Sequence, residues 1–164
     1  MKSLLLGKKE PLDRHFIDEI VLEAPVHKVF KFFSDAKNLE RLTPPWLNFK
    51  VLSQSTPQIQ EGTLFDYQLR IRGVPVKWRT RIESWQSDNA FVDTQLIGPY
   101  QKWYHLHVFT PEADGRHTRM RDEVLYRLPF GTLGNFFGGW FVDREVQTIF
   151  RYRVNSISDI FKSV

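Results

Sequence analysis

The chain of 164 residues is mildly basic, with a formal charge of +4 and a pI of about 9.4. That length suits one domain built around one core. With no cysteine, disulfides, thiolate catalysis and cysteine-ligated metals are excluded. The apolar run Leu4, Leu5 and Leu6 is too short for a signal peptide or a membrane span, so the expected location is cytoplasmic. The small positive charge permits attraction to nucleic acid or anionic membranes without requiring either. Aromatic residues make up 15% of the chain, with 14 Phe and 5 Trp. Side chains of that size either fill a core or line a cavity.

Residues 1–13 read as a flexible tail ending near Pro11, and residues 14–164 as a single domain. From Arg14 to Glu23 apolar and polar residues alternate, which predicts a strand. Pro25 opens a short helix, where Val26, Val29, Phe30 and Phe33 fall at helical spacing, running to about Ser34. A second helical turn covers Asn38–Leu42 and stops at Pro44 and Pro45. Six strands follow, over 46–53, 63–72, 75–86, 89–97, 102–110 and 116–128. Turns at Gly73–Val74, Ser87–Asp88, Gly98–Pro99–Tyr100 and Asp114–Gly115 separate the last five. After a loop with Pro129, Gly131 and Gly134 comes the longest helix, 136–161. Trp140, Val142, Val146, Ile149, Phe150, Val154, Ile157 and Phe161 recur along it at helical spacing. Gly138 and Gly139 weaken its first turn. Arg144, Arg151 and Arg153 are expected on its solvent face, and Pro129–Gly134 reads as a connector or a lid.

Sequential hairpins imply an antiparallel sheet, and one long helix has to cover one face of it. The fold class is α+β, a curved sheet wrapped around the C-terminal helix. One helix is too little to fill so long a sheet, which leaves room for an internal cavity. Period two then sorts the faces. Lys77, Arg79, Arg81 and Glu83 share one side of the fourth strand, and Trp78, Thr80 and Ile82 the other. A Gly73–Val74 loop pairs Arg72 with Pro75, Leu69 with Trp78, Tyr67 with Thr80, Phe65 with Ile82 and Asp66 with Arg81. An Asp114–Gly115 loop pairs Phe109 with Met120 and His107 with Asp122. Propagating these registers turns Phe91, Asp93, Gln95 and Ile97 inward, together with Trp103, His105, His107 and Phe109. Asp93 then lies beside His105 or His107. A row of Asp, His, His and Asp crosses an otherwise aromatic interior. Buried carboxylates of this kind need partners among themselves, water or a ligand.

The segments APVHKVFKFFSDAKNLERLTPPW, FVDTQLIGPYQKWYHLHVF and DEVLYRLPFG resemble the SRPBCC superfamily. That superfamily includes START-like lipid-transfer domains, pathogenesis-related plant proteins and polyketide cyclase/dehydrase-like proteins. The chain is most similar to the bacterial ligand-binding SRPBCC group, over about residues 14–162. The resemblance implies a helix-grip fold with a hydrophobic cavity that takes a lipid, polyketide, steroid or hormone. It also implies that loops here at Gly73–Val74–Pro75 and Gly98–Pro99–Tyr100 gate the entrance. No catalytic motif is common to the superfamily, so no catalytic residue carries over.

Three readings follow. In the first, the domain binds or carries a small hydrophobic ligand such as a lipid or polyketide-like molecule. The candidate ligand-binding residues are Tyr67, Trp78, Phe91, Asp93, Gln95, Trp103, His105, His107, Phe109, Asp122 and Tyr126, giving apolar walls with a few directional groups. In the second, Asp93, His105, His107 and Asp122 form the acid–base set of a cyclase or dehydratase, a histidine near neutral pKa being oriented by a carboxylate. The bland alternative for the same four residues is a structural network tying strands together. In the third, the basic residues Arg70, Arg72, Lys77, Arg79, Arg81, Arg119, Arg121 and Arg127 on the convex face meet an acidic surface, although Asp66, Glu83 and Glu123 interrupt them. His105 and His107, two apart on a strand, together with a carboxylate, have the donors for zinc or iron. That spacing is common by chance, and the expectation is no metal and no cofactor. Expected partners are a small hydrophobic ligand and no nucleic acid. Membrane contact, and the choice between monomer and homodimer, stay open.

Overall fold

The computed structural model describes residues 10–162. The element order is β1 (Arg14–Leu22), α1 (Val26–Phe33), α2 (Lys37–Leu42), a 3-10 turn (Pro45–Leu47), β2 (Lys50–Gln54), β3 (Leu64–Ile71), β4 (Val74–Gln86), β5 (Ala90–Ile97), β6 (Lys102–Pro111), β7 (Thr118–Arg127) and α3 (Gly131–Phe161). The seven strands form one antiparallel sheet in the order β1-β7-β6-β5-β4-β3-β2. Every neighbour but β1–β7 is a sequential hairpin, and β1 closes onto the last strand. The helix-grip fold expected from the sequence is the fold observed. Among the described residues, no helix is long and apolar enough to cross a membrane.

The strand expected over 46–53 begins later. Pro45–Leu47 form a 3-10 turn and Asn48 takes a left-handed conformation at φ 44°, which breaks extended pairing until Lys50. Residues 1–9, most of the expected tail, lie outside the described residues. Just beyond them, Asp13 is buried and meets Lys102 at 2.7 Å and Arg127 at 2.6 Å.

The β3–β4 register differs from expectation by two residues. The loop is Arg72–Gly73, with φ of 52° and 83°, so Ile71 pairs with Val74, Arg70 with Pro75, Leu69 with Val76, Tyr67 with Trp78, Phe65 with Thr80 and Asp66 with Arg79. A two-residue hairpin of this type needs positive φ at both positions, and β-branched Val74 resists it where Arg72 does not. A shift of two keeps every side chain on its expected face. The β6–β7 register is as expected, with Phe109 opposite Met120 and His107 opposite Asp122.

Two bulges interrupt β4–β5. Glu83 is the extra residue between Ile82↔Asp93 and Ser84↔Val92. It brings Trp85 to the concave face beside Ile82, where its ring meets Phe30 at 5.0 Å. Strict alternation would have turned Trp85 outward. The second bulge separates Thr80↔Gln95 from Arg79↔Ile97. Ile97, expected inside, is therefore 52% exposed.

The main core lies where α1 closes one end of the sheet. Val29 and Phe30 pack with Leu22, Phe91, Phe109, Met120 and Ile157. A second buried cluster, Ala90, Val92, Leu106, Val108 and Leu125, occupies the outer face of the central strands. The arginines of that face are largely neutralised locally: Arg79 by Asp66, Arg81 by Glu83, Arg119 by Glu19 and Glu112, Arg121 by Glu123. Exposed pairs of this kind add little stability, but among the described residues they interrupt the basic row.

α3 crosses the concave face with Val146, Phe150, Arg153 and Ile157 buried. It begins at Gly131, earlier than expected, and Trp140 points away from the sheet at 74% exposure. Gly139 faces inward in its place. A Cβ there would stand 2.6 Å from the Arg14 guanidinium. The missing side chain lets Arg14 pass to Asp143, whose Oδ1 accepts from Arg14 Nε at 2.5 Å and from the Tyr126 hydroxyl at 2.6 Å. At the far side, Arg72 of the β3–β4 tip stacks on Phe141 at 3.9 Å and meets Glu145 at 3.3 Å.

Burial works against ionising Asp143, but Arg14 and then Tyr126 outweigh it and hold its pKa below the usual carboxylate value. A depressed carboxylate contributes stability above its unfolded pKa of about 4 and loses it as pH falls through the folded value. Asp143→Asn is expected to lower stability at pH 7 and to flatten the loss of stability below about pH 4. Urea unfolding at pH 7 and pH 3 measures both; an unchanged pH slope would show that Asp143 is not responsible for acid sensitivity.

Candidate functional site

Between the sheet, α1–α2 and α3 lies a cavity of about 240 Å³. One wall is β3 and β4 (Phe65, Tyr67, Trp78, Thr80, Ile82). Another is β5 and β6 (Phe91, Asp93, Trp103, His105, His107). α1 and α2 add Phe32, Phe33 and Leu39, and α3 adds Val146, Ile149, Phe150 and Arg153. Trp78, Trp103 and Tyr100 meet edge-to-face or tilted, with centroids 4.7–5.7 Å apart. Edge-to-face contact is a favoured arrangement of aromatic rings, so this corner is a packed, fixed part of the wall.

Of the residues singled out from the sequence, Tyr67, Trp78, Phe91, Asp93, Trp103, His105 and His107 line this cavity, and four do not. Gln95 folds onto the β5–β6 loop, donating to the Tyr100 carbonyl at 2.7 Å. Phe109 is part of the core under α1. Tyr126 packs on Val146 and Phe150 and turns its hydroxyl to Asp143. Asp122 sits behind the histidine rings. Tyr100, named only as a turn residue, contributes its ring to the wall.

The polar row is brought together as one buried cluster. Asp93 faces His105 across β5–β6, and His107 faces Asp122 across β6–β7. Period two puts both histidines on one side, and their rings lie 3.8 Å apart. Asp122 Oδ1 is 3.2 Å from His105 Nε2 and 2.7 Å from His107 Nδ1. Asp93 Oδ2 is 3.0 Å from His107 Nε2 and 3.6 Å from His105 Nδ1. Phe91 stacks on His107 at 4.1 Å.

The group that sequence reasoning missed is Arg153. Expected on solvent, it is 6% exposed and donates from Nε to Asp122 Oδ2 at 2.9 Å. Its guanidinium also lies over Phe33 at 5.2 Å. The signal was present: residue 153 falls within the inward stripe Val146, Ile149, Phe150, Ile157. Reading that stripe as apolar only assigned the arginine to the wrong face.

The cluster sets its own charges. Burial disfavours the Asp122 carboxylate, but Arg153 and then His107 more than compensate and hold it well below the usual range. Burial also disfavours charging His107, yet the Asp122 charge and the hydrogen bonds to Asp122 and Asp93 hold its pKa above the ordinary value. His105 is pushed down by burial and then by His107, so it is the neutral ring of the two. Asp18 lies opposite Asp122 on β1, and burial and then Asp122 raise its pKa. Chemically the arrangement offers a buried neutral imidazole, a carboxylate on the cavity and a guanidinium beside them. One ligand atom each from Asp93, His105 and His107 falls within 4.8 Å of the others.

The family described as polyketide cyclase / dehydrase and lipid transport matches residues 22–153. The chain belongs to this family. Among solved structures, an aromatase/cyclase, Zhui from Streptomyces sp. R1128, aligns with a TM-score of 0.68 at 13% identity, covering 88% of this chain and 91% of that one. Protein CV1439 from Chromobacterium violaceum aligns at 0.70 and 14% identity, covering 91% and 98%. TTHA0849 from Thermus thermophilus aligns at 0.65 and 21% identity, covering 89% and 95%. At these identities the likeness is one of fold. No curated protein matches the sequence.

Removing Asp122 strands a buried guanidinium. Asp122→Ala is expected to cost about 3–5 kcal/mol in urea unfolding, the range for breaking one side of a buried pair. A loss under about 1 kcal/mol would place Arg153 in water rather than in the core.

Proposed function

We propose that this domain binds a small, largely apolar molecule in the cavity and holds its polar end against the cluster of Asp93, His105, His107 and Arg153. The observation that carries this reading is the composition of the wall: mostly aromatic and aliphatic side chains, with Asp93, His105, His107 and Arg153 gathered in one place and, among the described residues, only Asp35 and Glu145 adding charge elsewhere. Ligand sites have that design, since apolar area supplies affinity and a few polar groups fix orientation. The volume of about 240 Å³ is just under the usual range of roughly 300–1,000 Å³ for such pockets. It suits a molecule of one or two rings or a short acyl chain. A diacyl lipid or a long polyketide requires the β3–β4 tip, tied to α3 through Arg72, to move.

A second reading is acid–base turnover of the bound molecule, as in a cyclase or dehydratase. What favours it is His105, a neutral imidazole at the cavity wall with Asp93 beside it. A base of that kind can take a proton from carbon next to a carbonyl. The name of the Streptomyces aromatase/cyclase is consistent with this chemistry, but identity of 13% carries fold and not activity.

The test is native mass spectrometry of the purified chain, followed by solvent extraction. A co-purifying apolar molecule, lost in an Ile149→Trp variant that fills the cavity, is the expected result. Wild type and variant carrying the same molecule would place the binding elsewhere. A wild type that stays empty and leaves Trp78 and Trp103 fluorescence unchanged by apolar probes would remove the ligand-binding reading.

A further inference from the structure

The two histidine rings are held between two carboxylates, and the consequence concerns what lies on the cavity side. Asp122 Oδ1 approaches His105 Nε2 and His107 Nδ1 at 3.2 and 2.7 Å. Asp93 Oδ2 accepts from His107 Nε2 at 3.0 Å, and Arg153 Nη2 stands 3.4 Å from His107 Nδ1. His105 Nε2 donates to Asp122, which leaves the lone pair of His105 on Nδ1, 3.6 Å from the same Asp93 oxygen. One ligand atom each from Asp93, His105 and His107 therefore gathers at the cavity wall, with a single proton, on His107 Nε2, among them.

A proton on His107 Nε2 serves the contact with Asp93 but leaves His105 Nδ1, among the described residues, without a partner of its own at 3.6 Å from that carboxylate. A metal ion in place of that proton serves all three donors at once.

We propose that Asp93, His105 and His107 form a site for one divalent transition-metal ion, open toward the apolar cavity. Ligand atoms around a four-coordinate zinc at about 2.0–2.1 Å lie about 3.3 Å apart, and the two Asp93–histidine separations fall on either side of that value. The outer contacts are those a metal site uses. Asp122 accepts from the far nitrogen of His105 and lies 2.7 Å from that of His107, and Arg153 in turn fixes Asp122. Two imidazoles and one carboxylate suit zinc or ferrous iron, whereas calcium and magnesium favour all-oxygen sites. All three residues line the cavity, so the remaining coordination position faces the bound molecule, where the ion polarises an oxygen of it or holds a water. The ion displaces the proton from His107 Nε2. The site is independent of the identity of the cavity's occupant, because its test needs only the metal.

The experiment is calorimetric titration of zinc into the full chain after chelator treatment and dialysis, with cobalt absorption as a second readout. One ion per chain is expected, with cobalt bands typical of a nitrogen and oxygen site. Asp93→Ala and His105→Ala are expected to weaken binding at least roughly tenfold. His117→Ala, at a surface histidine paired with Asp114, is expected to bind as wild type does. Circular dichroism reports whether each variant is folded. Asp93→Ala decides if His105→Ala is not, since Asp93 is the least buried of the three, with its side chain 19% exposed. Absence of stoichiometric binding by the wild type overturns the proposal. So does an Asp93→Ala chain that binds as tightly as wild type, or a loss caused by His117→Ala.

Discussion

Asp122 is the point on which three elements converge. Its carboxylate is buried on β7, one oxygen faces both histidines of β6, and the other takes the Arg153 guanidinium of α3. A carboxylate in such a place is costly alone and tolerable only with every lone pair used. That requirement fixes how α3 lies on the sheet. Rotating the helix by one residue removes Arg153 from Asp122 and strands two charges. Apolar packing between Phe150, Val146 and the sheet tolerates small rotations far better. The cluster therefore supplies specificity of placement more than net stability.

Placing α3 in turn defines the cavity. The helix is anchored in its first half by Arg14 and Asp143, over a glycine that leaves room for the crossing, and in its second half by Arg153. Between those anchors and the β3–β4 tip it does not descend fully onto the sheet. Bulged β4 curves around the gap, and the aromatics of β4 and β6 meet at steep angles instead of stacking. Close packing is the rule in protein interiors. A space left unfilled beside so many large side chains reflects how the walls are held, and is not explained by a shortage of volume in the sequence.

The fold was legible because its signals are redundant. Alternation placed the charged row of β4 outside, and the β6–β7 hairpin placed His107 against Asp122 through a turn that does not disturb the register. The β3–β4 error was harmless to function, since a two-residue slip preserves faces. Bulges were illegible: Glu83 carries no glycine or other local mark, and the break before Ile97 was hidden beside Gly98 and Pro99, which read as the turn; each reverses the faces beyond it. Arg153 was misplaced for a different reason. A hydrophobic stripe is read by what it contains, and a buried ion pair is defined by a partner 31 residues away. The burial of the Asp–His row was inferred, whereas the guanidinium that meets Asp122 was not.

The same cluster bears on both functional readings. A group that orients a ligand only has to present hydrogen-bonding atoms at the cavity wall. A group that moves protons must also change charge without unfolding its surroundings. His107, bracketed by two carboxylates, is poorly suited to that change, because both carboxylates hold its proton. His105, which burial and His107 push toward the neutral form, is the ring better placed to accept one. A divalent ion at Asp93, as proposed, would take the place of the His107 proton and leave a position open toward the apolar side. Ligand capture and acid–base chemistry at His105 need no such ion, so its presence would add a third use of the same frame without deciding between the other two.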